Sequence, residues 1–356
     1  MRTRSAIAKL TPYVPGERRM DAIKLSSNEN PLGCSPAVAQ AVREVTRELH
    51  IYPDGGAHRL VQLLAHKHGL APQQVITGNG SDELLTLLAA TYLEPGDQVL
   101  VGEHTFSQYT YASQLFGATV VTVPMPELAV RPGDYLAHIT NRTRIVFLCS
   151  PNNPTGLSFT HAELTDFLDQ VSQEVLVVVD HAYVEYQTDP NAAQADQLVG
   201  QYPNLVVLHT FSKIHGIAAL RLGYGLASAE RIAEISHVRP PFSVNSVAQA
   251  AGRAALDDQD FVQRSLTTNR QGMQRLEQLF QDLSLDYLTS QANFVMVKVP
   301  GDAAAAAQFC AQRGVTIRAL GSFGLPQYLR ITVGTAQQID TLEPLLRAYV
   351  QQHRSS

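Results

Sequence analysis

Between residues 73 and 227 the chain repeats one pattern, and that pattern restricts its fold more than any other feature. Short runs rich in valine, isoleucine and leucine recur as QQVITG (73–78), DQVLVGE (97–103), ATVVTV (118–123), RIVFLCS (144–150), VLVVVD (175–180), LVVLHT (205–210) and RLGYGLA (221–227). Amphipathic stretches such as DELLTLLAATYL (82–93) and HAELTDFLDQVSQ (161–173) lie between some of them. A strand that is apolar on both faces must be covered on both, so these runs predict an α/β fold: a mostly parallel, doubly wound sheet clad by helices.

After Asn245 the pattern changes. A helical stretch (245–283) precedes ANFVMVKV, a helix over 302–313, VTIRAL, YLRITVG and a closing helix from Thr335, which together predict a smaller α+β domain. The expected division is a 1–45 segment packing with the small domain, a large ligand-binding domain over 46–245, and the small domain over 246–356. A chain of 356 residues, 45% hydrophobic, has enough apolar surface for two such lobes. The net charge of −5 and the lack of a dense basic run predict no nucleic-acid partner. Cys34, Cys149 and Cys310 are distant and odd in number, which predicts a reducing compartment and no disulfide framework. No apolar stretch has the length of a membrane span, and the basic start MRTRSAIAKLTPYVPG lacks the apolar core of a signal peptide. The expected location is the cytoplasm.

In open α/β sheets, ligands bind beyond the carboxyl ends of the strands. After VIT comes GNGSDE (78–83), where glycines before a helix let amides at Gly80, Ser81 and Asp82 face an anion. Glu83 stands where the third glycine of a dinucleotide fingerprint would be, so a nicotinamide oxidoreductase is not supported. Alone, this stretch is equally a plain turn with Ser81 as helix cap. PNNPTG (151–156) makes a proline-fixed turn that can turn the Asn153 amide outward. Asp180 ends a buried run, with Tyr183 three residues on; a buried carboxylate needs a partner, although a lone aspartate here is also a helix cap. Lys213 follows LVVLHTFS, and Arg221 follows eight residues later. A single ligand matches all of these groups. It has an aldehyde for the lysine, a basic ring nitrogen for the aspartate, a phenolic oxygen for Tyr183 and Asn153, and a phosphate. Pyridoxal 5′-phosphate is such a ligand.

The order PNNPTG, D-x-A-Y, T-x-S-K and LRxG resembles the fold-type-I pyridoxal-phosphate aminotransferases. LTPYVPG (10–16), LSSNENPLG (25–33), IYPDGG (51–56), GNGSDELL (78–85), PFSVNSVAQ (241–249), ANF (292–294) and YLRITVG (328–334) are similar to the histidinol-phosphate aminotransferase family. The resemblance implies that Lys213 forms the Schiff base and then serves as general acid and base, and that Asp180 pairs with the pyridine nitrogen. It implies that Asn153 and Tyr183 bind the ring oxygen and that Phe106 stacks on the ring. The phosphate would be held by the amides at Gly80–Asp82 with Thr210, Ser212, Arg221 and the neighbouring subunit's copy of Tyr52, in a homodimer with shared active sites. Arg330, helped by Arg318 and Tyr13, would bind the substrate anion, with Asn153 and Tyr52 also facing the substrate. Its partners would be an amine substrate and a 2-oxo acid, 2-oxoglutarate being the expected acceptor, in histidine biosynthesis.

The sequence departs from the family's pattern at His181 (usually glutamate), His215 (often phenylalanine), His104 (often proline) and Ser243 (usually asparagine). These leave the cofactor groups intact and the amine substrate open. Aromatic amino-acid transamination and decarboxylation of a phosphorylated amino acid use the same cofactor residues. A cofactor-sensing regulator would need a DNA-binding module before residue 10, for which no room is expected. No metal is expected either: His66, His68 and His209 stand without a carboxylate or cysteine at zinc-ligand spacing.

Overall fold

The computed structural model describes residues 3–8, 10 and 21–354. Its strands are β1 (Ile23–Lys24), β2 (Val75–Gly78), β3 (Gln98–Gly102), β4 (Thr119–Val123), β5 (Thr143–Cys149), β6 (Leu176–Asp180), β7 (Leu205–Thr210), β8 (Gly223–Ala227), β9 (Phe294–Lys298), β10 (Val315–Thr316), β11 (Arg318–Leu320) and β12 (Leu325–Thr332). The seven apolar runs of the first two-thirds form one sheet in the order β2-β8-β7-β6-β5-β3-β4. β3 to β7 run parallel, and only β8 runs against its neighbours β2 and β7. Every residue of β2, β3, β6, β7 and β8 is buried, which is why these strands lack polar alternation.

Local signals set the helices that cover the sheet. The helix His161–Gln170 begins at a reciprocal cap: the Glu163 amide donates to Thr160 Oγ1 at 3.2 Å and the Thr160 amide to Glu163 Oε2 at 2.7 Å. A cap of this kind stabilises a helix by about 1 kcal/mol. The helix Ser81–Tyr92 turns Leu84, Leu85, Leu87 and Leu88 into the sheet. Its cap residue is Gly80, and Ser81 is the first helical residue.

The second core is built from β9, β11 and β12, in the order β11-β12-β9, and the helices Gln259–Asp282, Ala303–Ala311 and Ala336–Arg354. β1 pairs with β10 and carries Leu25 into this core. The packing divides the chain differently from the expected boundaries. Val38, in the helix Pro36–Val45, lies in the larger core, as do Ala248, Ala251 and Ala255 of the helix Ser246–Asp257. These two helices pack on each other, so their apolar faces are buried with the large sheet. The helical stretch at 245–283 is accordingly two helices, with Asp258 capping the second through the Phe261 amide at 2.9 Å.

Candidate active site

The sheet register delivers the chemistry to one edge. Because β8 is antiparallel to both neighbours, β2 runs in the same direction as β7 and ends at the same side. Gly223, which opens β8, pairs with both Gly78 and Thr210. Arg221, two residues earlier, therefore lies between the Gly80 turn and the end of β7. It bonds Asp82 Oδ2 at 3.1 Å and the Ala218 carbonyl at 3.1 Å. Gly80 has φ +82°, and a Cβ there would come 2.5 Å from the Arg221 guanidinium. Only glycine lets the turn and the guanidinium share this space.

Asp180 ends β6 and is 4% exposed. Tyr109 donates to its Oδ2 at 2.6 Å, and the Ala182 amide to its Oδ1 at 3.0 Å. Among the described residues no lysine or arginine pairs with it. Burial pushes the carboxyl above its ordinary range, and the two donated hydrogen bonds offset only part of that rise. Lys213 Nζ donates to the Ser27 carbonyl at 3.1 Å and lies 5.5 Å from the centre of the Tyr183 ring. Burial, then the nearby Arg330 charge, lower its pKa to about 8. A neutral amine is thus accessible near physiological pH.

The segment Ser26–Asn30 crosses between the lobes over this edge. Asn28 Nδ2 donates to Tyr183 Oη at 2.9 Å, its backbone amide bonds Thr332 Oγ1 at 2.9 Å, and Asn30 Nδ2 reaches the Ile214 carbonyl at 2.8 Å. Arg330, 6% exposed, bonds Asn153 Oδ1 and donates to the Ser26 carbonyl at 2.9 Å. Arg318 is the direct cross-strand partner of Arg330. Two like charges opposite each other are unfavourable unless an anion lies between them.

A cavity of about 910 Å³ unites these groups. Ser81, Asp82, Phe106, Asn153, Asp180, Tyr183, Thr210, Ser212, Lys213, Arg221, Arg318 and Arg330 all line it. Tyr52 does not; it is 80% exposed and stacks on Phe242 with centroids 4.8 Å apart. Tyr13 lies outside the described residues. Sequence reasoning missed Tyr109, Ser27 and Asn28. Tyr109 stands three residues after Phe106, in the helix Gln108–Leu115, and that nearness was the available signal. Ser27 and Asn28 lie within LSSNENPLG (25–33), and that stretch was their only signal, because what they touch lies more than a hundred residues away.

The departing residues have physical roles. His215 packs on Phe211 with centroids 4.9 Å apart, and burial pushes its pKa down to about 3, so it serves as a neutral ring. His104 Nδ1 lies 2.7 Å from the Phe323 carbonyl and links the lobes. Ser243 accepts from Arg239 Nε at 3.4 Å. His181 lies 3.6 Å from Asp196, a residue the sequence did not single out, and His68 and His209 flank the same carboxylate. Burial works to raise the Asp196 carboxyl, but the imidazoles of His209, His181 and His68 hold it well below its ordinary range.

A mostly parallel α/β sheet whose carboxyl edge gathers a half-buried lysine, an uncompensated aspartate and an arginine-backed glycine turn defines a group-transfer enzyme of the aminotransferase kind. The chain belongs to the family described as aminotransferase class I and II, which it matches over residues 20–344. It is 44% identical over 344 residues to the histidinol-phosphate aminotransferase of Symbiobacterium thermophilum, covering 94% of this chain and 95% of that one. It is 42% identical to the enzyme of the same name from Moorella thermoacetica, over 97% of this chain and 92% of the relative. Among solved structures, histidinol-phosphate aminotransferase from Sinorhizobium meliloti in complex with pyridoxal 5′-phosphate superposes with a TM-score of 0.92 at 28% identity, over 99% of this chain and 98% of that one.

Proposed function

We propose that this chain is a pyridoxal-phosphate-dependent aminotransferase that moves the amino group of histidinol phosphate to 2-oxoglutarate. The observation that carries the reading is Asp180: a buried carboxylate with two hydrogen bonds and, among the described residues, no cation, 4% exposed at the end of β6. A ligand bearing a protonated ring nitrogen supplies the missing charge. The rest of the cavity fits the same ligand. Tyr183 and Asn153 would hold the ring oxygen, Phe106 would cover one ring face, and the amides at Gly80–Asp82 with Thr210, Ser212 and Arg221 would hold the phosphate.

When bound, the cofactor supplies an aldehyde that takes up the substrate amine and a ring that draws electron density from the adjacent carbon. Lys213 would take the proton from the substrate carbon that carries nitrogen and would hand it back as general acid. Asp180 keeps the ring nitrogen protonated throughout. Arg330 and Arg318 bind the substrate's anionic end, and the guanidinium fork accepts the phosphate of one substrate or the carboxylate of the other. The Ser26–Asn30 crossing covers the site against water. The names of the curated relatives support histidinol phosphate as the amine.

The functional unit in this reading is a homodimer in the cytoplasm. Tyr52 and Phe242 stand exposed with Leu49, Ile51 and Val238 as an apolar surface, which supports Tyr52 reaching the partner's site. No helix among the described residues is long and apolar enough to cross a membrane. The substrate is tested by single-turnover absorbance changes with histidinol phosphate, phenylalanine, aspartate and threonine phosphate at matched concentrations. Histidinol phosphate should react fastest. A faster reaction with phenylalanine would make the chain an aromatic transaminase, and release of carbon dioxide from threonine phosphate would make it a decarboxylase.

A further inference from the structure

Behind Asp180, on the side away from the cavity, three imidazoles surround one carboxylate. His68 Nδ1 lies 2.9 Å from Asp196 Oδ2, and His209 Nε2 lies 2.9 Å from Asp196 Oδ1. His181 Nδ1 lies 3.6 Å from that same Oδ1. The donor atoms of His68, Asp196 and His209 all fall within 4.8 Å of one another. His181 is 1% exposed, and neither of its ring nitrogens has a hydrogen-bond partner. The carboxylate has lone pairs enough for all three rings, yet His181 stays beyond bonding distance at 3.6 Å; a cation among them would give the rings a common partner.

We propose that His68, His209 and Asp196, with His181 beside them, form a site for a divalent transition metal of the zinc type. Imidazole and carboxylate are donor types zinc takes, and three protein ligands leave the fourth position to His181 or a water. Zinc–nitrogen bonds of about 2.0–2.1 Å place tetrahedral donors about 3.3 Å apart. The His68 and His209 nitrogens lie 2.9 Å from the carboxylate and all three donors lie within 4.8 Å of one another, so a metal would draw them to that spacing. His68 Nε2 is paired with the Tyr224 hydroxyl at 3.0 Å, the kind of outer contact that fixes a ligating ring. The Tyr224 ring stacks on His209 with centroids 4.7 Å apart and 10° between planes.

The three ligands and His181 come from separate places: the last residue of the helix His58–His68, the short helix Ala195–Leu198, the end of β7 and the residue after β6. A metal there would tie the carboxyl ends of β6 and β7 to the layer behind them, directly under Asp180 and Thr210. Its role is to brace the cofactor site, with no part in the reaction.

The test uses the full-length holoenzyme made without a polyhistidine tag. After equilibration with zinc and dialysis, metal analysis should find one equivalent per chain, and cobalt(II) in its place should give intense tetrahedral ligand-field bands. His68→Gln should weaken zinc binding by more than about tenfold, and His68→Cys, which restores a ligand, should keep the metal and add sulfur-to-cobalt charge transfer. His68 does not line the cavity, and Cys34 and the cofactor are common to all forms, so adventitious binding there is unchanged by the substitutions. If the parent enzyme retains no zinc, the four residues are a hydrogen-bonded cluster only and the proposal fails. It fails equally if folded His68→Gln retains zinc as tightly as the parent. Should His68→Gln not fold, His68→Cys decides: loss of zinc without charge transfer overturns the site.

Discussion

Tyr109 donates its phenolic proton to Asp180 across 2.6 Å while its ring lies flat on Phe147, with centroids 4.9 Å apart and planes within 6°. The phenol orients the carboxylate for which the proposed cofactor would supply a cation. Hydrogen bonds to charged groups contribute roughly 1.5–3 kcal/mol. Tyr109→Phe keeps the stack and removes the bond, so affinity for pyridoxal phosphate should fall about tenfold to a hundredfold. An absorbance titration of the apoenzyme measures this, and an unchanged dissociation constant would remove Tyr109 from the site.

Lys213 gives a pH signature. Its amine has a pKa of about 8 in the folded apo chain, against 10.5 for the ordinary group. Between those values the unfolded chain binds the proton and the folded chain does not, so stability rises with pH. The contribution is present above 10.5 and lost as pH falls through about 8. Lys213→Met removes the titrating group, so the variant should be more stable than the parent apoenzyme at pH 7 and their difference should shrink towards pH 10. Urea unfolding of both chains across that range is the measurement. Parallel curves would show that the amine is not depressed. The same substitution should abolish transamination.

Gly80 and Arg221 share one volume. A methyl group at Gly80 meets the guanidinium at 2.5 Å on a backbone held at φ +82°. Gly80→Ala should displace Arg221 from the turn and weaken binding of pyridoxal phosphate at least about tenfold, the loss of one charge-assisted contact. Pyridoxal, which has no phosphate, should bind the variant and the parent equally. Equal losses for both ligands would place the damage in the fold rather than at the phosphate.

Tyr52 and Lys213 should complement between chains. Lys213→Ala subunits lack the amine but offer Tyr52; Tyr52→Ala subunits keep the amine but offer no hydroxyl. A mixed dimer has one site with both groups and one with neither. Refolding the two together should restore activity above either alone, given a strongly impaired Tyr52→Ala. Confirmed subunit exchange without any gain would sink the shared site.

Most of the cavity's polar lining was legible in the sequence. Parallel strands end where ligands bind, so the residues after VLVVV and LVVLHT had to face a common edge. Asp180 and Lys213 meet that expectation in the cavity lining. The second core was legible as a change of pattern, but its border was not. The helix Ser246–Asp257 is alanine-rich and amphipathic, and nothing in such a face states which sheet will bury it.

By itself, the sequence determined what local rules control: the apolar runs that become strands, the caps that start helices, and the polar residues that follow each strand. Only the tertiary structure decided the reversed β8, which brings Gly78, Thr210 and Arg221 to one place through a shared partner in Gly223. Only it set Arg318 opposite Arg330, and Asp196 among His68, His181 and His209. The physical reason is range. Caps and strand periodicity act over a few residues. Strand order and the meeting of distant charges follow from how whole layers bury their apolar faces, and no short window of sequence contains that information.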